Sequence, residues 1–509
     1  MRLLCLSNGH GEDAIALRIL QALQQQPHAP AIEALPIVGE GHAYIKAEIP
    51  LIGSVKTMPS GGFIYMDGRQ LARDIGGGLV QLTLAQIKAV RAWAAGEGGT
   101  GDGVQGTEYS QFKTQNSKLK TQNSTSSLHT PSPSLILAVG DIVPLLFAWL
   151  SGVPYAFIGT AKSEYYLRDE AGWLPRKSWW SDRLQRWTGC VYHPWERWLM
   201  SRPNCKAVFP RDSITAKVLK QYGVPAFNLG NPMMDGLEWR DGGWGMGDEE
   251  KESGVRSQES EADADFGVSA QSNETRKHGD TEDSKFKIQN SKLTQNLKLK
   301  TQNSPSPSLL PHLSSLTIAL LPGSRPPEAY ANWETLLLAV NGLVAKMNRP
   351  LELLAAIAPN LDLEILHQML LGFRWQQISE ATYTVGLGEK QATLVLAQNC
   401  FTEFVQRADL AIAMAGTATE QFVGLGKPAI TLPGKGPQFT PAFAEAQTRL
   451  LGPSVTLVTE PAQVATAIQS LLSNPDRLQL IAENGPLRMG TPGAAERIAQ
   501  CLVQVVGDR

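Results

Sequence analysis

Two loops, each following an apolar run and each containing a glycine, hold the residues best suited to binding a phosphate. The first loop, LLPGSRPPE at 320–328, offers Gly323 and Ser324, whose backbone N–H groups can approach an anion closely. Arg325 adds a planar fork of donors that matches a diphosphate. A plain strand–helix connection with a surface arginine is the alternative interpretation.

The second loop, AMAGTATEQ at 413–421, precedes a predicted helix. Gly416 permits close approach of a ligand, and Thr417 and Thr419 supply hydroxyl groups and helix N-caps. The helix N-terminus would present free N–H groups and the positive end of its dipole to an anion. An N-capped core helix has the same pattern, but two such loops at equivalent strand ends favour one shared diphosphate ligand.

A third segment, LPGKGPQFTPAFAEAQ at 432–447, is a Gly/Pro-rich loop that could close over a sugar, although an irregular surface loop fits it nearly as well. Glu420 and Gln421 are the candidates for binding ribose hydroxyls. Neither GxxxxGK[ST] nor GxGxxG occurs in the two phosphate loops, which excludes a P-loop and a dinucleotide fingerprint there. The residues predicted to bind this diphosphate ligand and its sugar are Gly323, Ser324, Arg325, Gly416, Thr417, Ala418, Thr419, Glu420, Gln421 and Gln438.

Alternating strands and helices must carry these loops. Strands are predicted at 2–6, 135–139, 155–158, 207–209 and 227–229, and then at 316–321, 351–356, 409–414 and 429–432. Repeated strand–helix units predict parallel sheets flanked by helices, with ligands at the carboxyl ends of strands. The apolar run 142–158 is interpreted as core because Pro144 and a turn at 151–154 interrupt it. The fold class is therefore α/β, with two Rossmann-like domains whose parallel sheets face each other across a cleft.

Composition places the chain among soluble proteins with large cores. Of its 509 residues 42% are hydrophobic and 18% charged, and a net charge of −2 gives no overall field that would attract nucleic acid. Five scattered cysteines indicate neither a zinc site nor a disulfide framework and fit a reducing cytoplasm. Two low-complexity inserts, at 97–134 and 241–314, share the words FK, QNSKL and KLKTQNS and are predicted to be disordered.

Three segments resemble lipid-A-disaccharide synthases: IALLPGSRPPE at 318–328, ADLAIAMAGTATEQ at 408–421 and NLGNPMMDGL at 228–237. The turn SNGHGEDAIALRIL at 7–20 is similar to the first turn of that family. The resemblance implies a GT-B fold and transfer of a sugar, with inversion, from a UDP-linked donor to a lipid-linked acceptor, without metal or any other cofactor. The chain departs from the family where Ala415 replaces a serine and Gln421 a glutamate.

The resemblance and the element pattern together predict the domain organisation. An acceptor-binding domain covers 1–235 and contains the first insert, and a nucleotide-sugar-binding domain covers 315–490. In GT-B proteins the last helix crosses back to the first domain, and residues 491–509 are assigned that role.

An inverting transferase needs a base for the acceptor hydroxyl proton, and three residues qualify. Asp141 matches in place the family's catalytic aspartate, although an aspartate after a strand is commonly a helix N-cap. His10 lies in the first strand–helix turn, where it could instead contact the donor phosphate or the backbone. Glu12 is the third candidate. The choice among them stays open.

The segment 172–206 holds six of the chain's 12 tryptophans together with seven basic and two acidic residues. Tryptophan mixed with Arg and Lys is typical of a membrane-interface patch, which would collect a lipid acceptor. The alternative is a core-packed excursion with arginines stacked on buried rings. The predicted acceptor and membrane residues are Trp173, Trp179, Trp180, Arg183 and Trp187.

These observations predict a UDP-sugar-dependent glycosyltransferase in the cytoplasm, bound peripherally to the cytoplasmic membrane. Its expected partners are a UDP-sugar and a lipid acceptor, and no nucleic acid. Two alternatives share the fold: a soluble UDP-sugar epimerase, and a non-catalytic protein that binds a nucleotide-sugar.

Overall fold

The computed structural model describes residues 1–9, 11–27, 29–55, 78–96, 134–175, 187–237, 315–436 and 439–507. The predicted inserts lie outside these ranges, except for Ser134, which begins a strand. Both sheets described below belong to one compact unit, Met1–Glu238 with Leu310–Arg509, and the second unit, Trp239–Leu309, is not described.

The first half forms a five-stranded parallel sheet with the order β2-β1-β3-β4-β7. Its apolar strands are buried on both faces, as parallel sheets require, and Leu3, Leu4 and Leu6 have no exposed surface. The strands are β1 Arg2–Ser7, β2 Ala31–Pro36, β3 Ser134–Gly140, β4 Tyr155–Gly159 and β7 Cys205–Pro210, with a short hairpin of β5 Arg168–Asp169 and β6 Gly172–Trp173 between β4 and β7. The described helices are α1 Gly11–Gln24, α2 His42–Lys46, α3 Leu79–Ala94, α4 Ile142–Leu150, α5 Pro194–Met200 and α6 Ser213–Gln221.

The second half forms an eight-stranded sheet with the order β10-β11-β12-β9-β8-β13-β14-β15. Six of these strands are parallel, whereas β10 and β11 form an antiparallel edge that the sequence patterns did not predict. The strands are β8 Leu316–Leu321, β9 Leu351–Ile357, β10 Gln376–Ser379, β11 Thr382–Val385, β12 Ala392–Gln398, β13 Leu410–Ala413, β14 Ala429–Thr431 and β15 Val455–Leu457. The helices are α7 Glu328–Lys346, α8 Leu363–Gly372, α9 Phe401–Arg407, α10 Thr417–Gly424, α11 Pro441–Leu451, α12 Val464–Leu472, α13 Pro475–Met489 and α14 Ala494–Gly507.

Each sheet has one point where the strand order reverses. In the first sheet β2 lies on one side of β1 and β3 on the other, so the reversal falls between β1 and β3. In the second it falls between β8 and β13. Ligands of open α/β sheets bind outside the carboxyl ends of strands at this switch point. Glu12 and Asp141 therefore follow the strands of one switch point, while Arg325 and Gly416 follow those of the other.

The predicted α/β fold class is confirmed: each half of the chain carries a sheet of wholly or mainly parallel strands with helices between them. One predicted strand, 227–229, is wrong. Only Ala226 pairs with the sheet, through an isolated bridge to Val208. The carbonyl of Leu229 accepts instead from Arg497 Nε at 2.9 Å, because the segment packs under the last helix.

The last helix, α14, lies against α1 of the first domain. Its buried Ile498 and Leu502 belong to the same apolar cluster as Ile19 of α1. The Asp235 carboxylate accepts from the N–H groups of Ala494 at 3.0 Å and Ala495 at 2.7 Å. Asp235 thus ties the start of α14 to the segment that follows the first sheet.

Replacing Asp235 with alanine should lower the free energy of unfolding by about 1 kcal/mol, because it removes the acceptor for two N–H groups at a helix start. Urea unfolding would measure the loss. Asp476→Ala serves as the matched control, since that exposed carboxylate stands in the first turn of α13 without such bonds. Equal stability of the two variants would contradict a capping role for Asp235.

Candidate functional site

A buried hydrogen-bond network shapes the turn between β1 and α1. The Asp13 carboxylate accepts from Ser7 Oγ at 2.5 Å and from the Gly9 N–H at 3.1 Å. The Tyr44 hydroxyl donates to Ser7 Oγ at 2.7 Å. Gly9 has a φ of 90°, and a Cβ there would lie 2.6 Å from the Val38 carbonyl oxygen, so only glycine fits. The network leaves Asp13 structural and fixes the backbone next to Glu12.

Glu12 stands where three strand ends of the first sheet converge. Thr160, directly after β4, donates its hydroxyl to Glu12 Oε1 at 3.3 Å, and a Cβ on Gly140 would lie 3.4 Å from Glu12 Cγ. Burial raises the pKa of the Glu12 carboxyl, the Thr160 hydrogen bond opposes that rise, and the nearby Asp141 carboxylate adds to it. A carboxylate with a raised pKa is a stronger proton acceptor, as a general base must be.

Asp141 follows β3 at the same switch point. One of its oxygens, Oδ1, accepts from the Val143 N–H at 2.9 Å and so caps α4. The N-cap interpretation therefore holds for that oxygen, while the carboxylate remains close enough to influence Glu12 electrostatically. His10, the third predicted base, lies outside the described residues.

The loop after β8 and the loop after β13 are tied together by one buried side chain. Asn332 of α7 donates its amide to the carbonyls of Pro322 at 3.0 Å and Met414 at 3.3 Å. Gly323 has a φ of 96°, and a Cβ there would lie 3.3 Å from the Met414 carbonyl oxygen. The two predicted phosphate loops are thus held side by side, with Ser324 exposed and Arg325 half-buried.

The loop after β13 leads into α10 at Gly416, with no side chain capping the helix. Thr417 is exposed and Ala418 half-buried, so both are accessible to a ligand. Gln447 of α11 donates to the carbonyls of Ala415 at 3.0 Å and Gly416 at 3.3 Å. The uncapped helix start is therefore both open and braced, which suits an anion.

Three predicted donor residues have other partners in this arrangement. Thr419 is fully buried and donates its hydroxyl to the Ala415 carbonyl at 2.6 Å. Glu420 is buried and paired with Arg211, and Gln421 donates to the Met233 carbonyl at 2.8 Å. Thr419 is structural because its hydroxyl is consumed inside the loop. A ribose contact from Glu420 would require its ion pair to break.

A buried ion pair joins the two halves of the chain. Arg211, directly after β7, donates to Glu420 Oε2 at 2.6 Å and to the Thr160 carbonyl at 3.1 Å. The two side chains are only 4% and 10% exposed. Burial acts to lower the pKa of Arg211, but the Glu420 carboxylate outweighs it and raises that pKa, so the guanidinium stays charged.

A charged residue of the first switch point acts on one of the second. Burial lowers the pKa of Arg325, and the carboxylates of Glu12 and Glu328 oppose that shift. Arg325 of the second domain thus lies in the electrostatic field of Glu12 of the first. The fold brings a predicted phosphate-binding cation and a predicted base to the same space, although they are far apart in sequence.

The predicted membrane residues are only partly described. Trp173 and Trp187 are exposed, and the Arg168 guanidinium lies 4.1 Å from the centre of the Trp173 ring. Trp179, Trp180, Arg183 and the predicted donor residue Gln438 lie outside the described residues.

In the described ranges, no group of three or more His, Cys, Asp or Glu side chains could hold a metal ion. Of the helices that the structure describes, none combines the length and apolarity needed to cross a bilayer.

Comparison with known proteins gives distant structural neighbours. No protein-family model matches the chain, and no protein of curated function matches it significantly. The S. aureus MnaA–UDP co-structure is similar at 12% identity and a TM-score of 0.47, covering 100% of this chain and 97% of that one. The structure of UDP-GlcNAc 2-epimerase from Neisseria meningitidis bound to UDP-GlcNAc is similar at 13% identity and a TM-score of 0.46. That match covers 99% of this chain and 100% of the epimerase chain. The structure of Acinetobacter baumannii MurG is similar at 12% identity and a TM-score of 0.44, and the match covers 99% of each chain.

Proposed function

We propose that the protein is a glycosyltransferase that moves a sugar from a UDP-sugar to a lipid-linked acceptor at a membrane surface. The observation that carries this proposal is a chain of contacts between the two switch points. Thr160 donates to Glu12 and accepts from Arg211, which pairs with Glu420 near the start of α10. Glu12 also acts electrostatically on Arg325 of the loop after β8. A transferase needs a base on the acceptor side and cationic stabilisation of the leaving group on the donor side.

The donor diphosphate would lie between the loop after β8 and the start of α10. Backbone N–H groups of Gly323 and Ser324 and the uncapped N-terminus at Gly416 offer donors to its oxygens. The Arg325 guanidinium would form a bidentate contact with the phosphate that gains charge as UDP departs. Because Asn332 already holds both loops, little reorganisation accompanies this step.

Glu12 is the base that we assign, ahead of Asp141 and His10. The acceptor hydroxyl oxygen attacks the anomeric carbon as the bond from that carbon to the UDP oxygen breaks, and the hydroxyl proton passes to the Glu12 carboxylate. Attack from the face opposite UDP inverts the anomeric configuration. Asp141 has one oxygen engaged in capping α4, whereas Glu12 is buried and acts electrostatically on Arg325.

An epimerase acting on a UDP-sugar is the second candidate. The observation that favours it is the pair of neighbouring carboxyl groups, Glu12 and Asp141, at one switch point. One such group could remove the proton on the carbon beside the anomeric carbon as the bond to UDP breaks, and the other could return a proton from the opposite face as UDP adds back, without any acceptor. Product analysis distinguishes the two, because an epimerase leaves the sugar on UDP.

Wild-type protein should be stabilised against heat by UDP and UDP-sugars, and Arg325→Ala should lose that stabilisation. At a ligand concentration of about 100 times Kd the gain is about 2.7 kcal/mol, which is readily measured as a rise in Tm. Lys346→Ala is the control, since Lys346 is exposed at the far end of the helix that begins after Arg325. Retention of the full UDP shift by Arg325→Ala would contradict the donor site.

A further inference from the structure

Three helices of the first domain lie side by side and form an outer layer on its sheet. Helix α4 is in the middle and packs against both α3 and α5. Arg91 of α3 donates from Nε to the Leu150 carbonyl of α4 at 3.3 Å. Trp149 of α4 and Trp198 of α5 meet edge to face with ring centres 5.4 Å apart. We call the solvent side of α3, α4 and α5 the helical face.

The helical face exposes large apolar side chains on all three helices. Single exposed apolar residues are ordinary, but a set that continues across adjacent elements marks an interaction surface. On α3 the exposed residues Val80, Leu84, Lys88 and Arg91 follow one another at a spacing of about one helical turn. The first two are apolar and the last two are cationic. The exposed large apolar residues of the face are Val80, Leu84, Leu146, Trp195 and Trp198.

The charge of the helical face is of one sign. Neither α3 nor α4 contains an Asp or Glu. The one carboxylate of α5, Glu196, is only 2% exposed and is bound by Lys162 Nζ at 2.6 Å. The exposed cations Lys88 and Arg91 therefore meet no exposed acid from these helices, although the whole chain has a net charge of −2.

Arg202 extends the cationic edge beyond α5. Its guanidinium lies 4.2 Å from the centre of the Trp198 ring. It also lines a shallow cavity of about 400 Å³ together with Trp149 and Leu150. Tryptophan rings at the depth of lipid headgroups, with cations beside them, are the composition that binds an anionic bilayer.

We propose that the helical face docks on a bilayer containing anionic phospholipid. Helix α4 begins beside Asp141, at the catalytic switch point, and reaches Leu146 of the face within roughly 8 Å of helix rise. Docking through this face would therefore hold the acceptor side of the site close to the membrane. The role that we give to this docking, delivery of a lipid acceptor, rests on the proposed function. Binding to a bilayer can nevertheless be measured without any catalytic turnover.

The test is co-sedimentation of the full chain with vesicles of phosphatidylcholine, with and without phosphatidylglycerol, at low and high salt. Wild type should bind the anionic vesicles at low salt and be released at high salt. Leu84→Glu and the double variant Lys88→Glu/Arg91→Glu should each lower the partition coefficient at least tenfold. Leu387→Glu, at an apolar residue of the second domain that is 89% exposed, should bind like wild type.

Two further measurements keep the outcome decisive. Circular dichroism and the UDP-induced rise in Tm should be unchanged in the helical-face variants, which separates failed docking from a failed fold or donor site. Wild-type binding by Leu84→Glu, or loss of binding only in Trp173→Ala/Trp187→Ala, would overturn the proposal. So would sedimentation velocity that shows a dimer dissociated by Leu84→Glu, because the face would then belong to a second copy.

Discussion

Replacing Glu12 with glutamine should lower the rate of sugar transfer by about 10² to 10⁴-fold while leaving the UDP-induced rise in Tm intact. Glutamine keeps the shape of the side chain and can still accept from Thr160, but it cannot take a proton. Donor binding depends on the second domain and should survive. Initial rates with a saturating UDP-sugar, beside thermal melts with UDP, measure the two effects separately.

The role of Glu12 as base also predicts how the rate of sugar transfer depends on pH. The base must be deprotonated, and burial raises the pKa of Glu12. Activity should therefore fall as the pH drops through a value above the ordinary glutamate pKa. A buried carboxyl with a raised pKa also destabilises the fold once it ionises, so Glu12→Gln should raise Tm at neutral pH although activity is lost.

Asp141→Asn is the matched control, because asparagine can still cap α4 and the change is equally conservative. It should retain much more activity than Glu12→Gln. Near-normal activity in Glu12→Gln, with loss in Asp141→Asn or in His10→Gln, would transfer the role of base to the residue whose variant is inactive.

Replacing Arg211 with methionine should lower the free energy of unfolding by about 3–5 kcal/mol, because the Glu420 carboxylate would be left buried without its partner. A loss of this size is a large part of the stability of a typical domain. Glu420→Gln should destabilise for the converse reason. Chemical denaturation followed by tryptophan fluorescence measures both variants.

The double variant Arg211→Met/Glu420→Met separates ion pairing from simple packing. Removing both charges together abolishes the unpaired charge, so the double variant should be more stable than Arg211→Met alone. Additive losses in the double variant, or a loss below about 1 kcal/mol in Arg211→Met, would contradict a buried pair that joins the domains.

Much of the framework could be predicted from local patterns. Strand β8 coincides with the apolar run 316–321 because a continuous run closed by Pro-Gly leaves few alternatives. The same reasoning placed Arg325 and Gly416 at strand ends. The strand predicted at 227–229 was wrong because Arg497, far along the chain, binds the Leu229 carbonyl. The edge strands β10 and β11 are short and largely exposed, so they carry no clear apolar pattern.

The long-range hydrogen bonds and ion pairs of the site could not be predicted from the sequence. Arg211 and Glu420 are 209 residues apart, and nothing local to either distinguishes an interdomain partner from a surface charge. Glu420 lies in the first turn of its helix, where acids are common, so the sequence alone does not distinguish a ribose-binding carboxylate from one that is paired with a distant arginine. Asn332 was missed for the same reason, since a mid-helix asparagine gives no sign that it braces two loops.

The most direct test of the account is the fate of the sugar. The protein would be incubated with UDP-N-acetylglucosamine, UDP-glucose or UDP-galactose, with and without a membrane lipid extract. The lipids would be analysed by mass spectrometry, and the nucleotides by chromatography and proton NMR, which distinguish epimers of equal mass. We expect release of UDP, with a matching mass gain on a lipid, only when both a UDP-sugar and the extract are present. Conversion of one UDP-sugar into its epimer without any acceptor would contradict it and establish the epimerase instead.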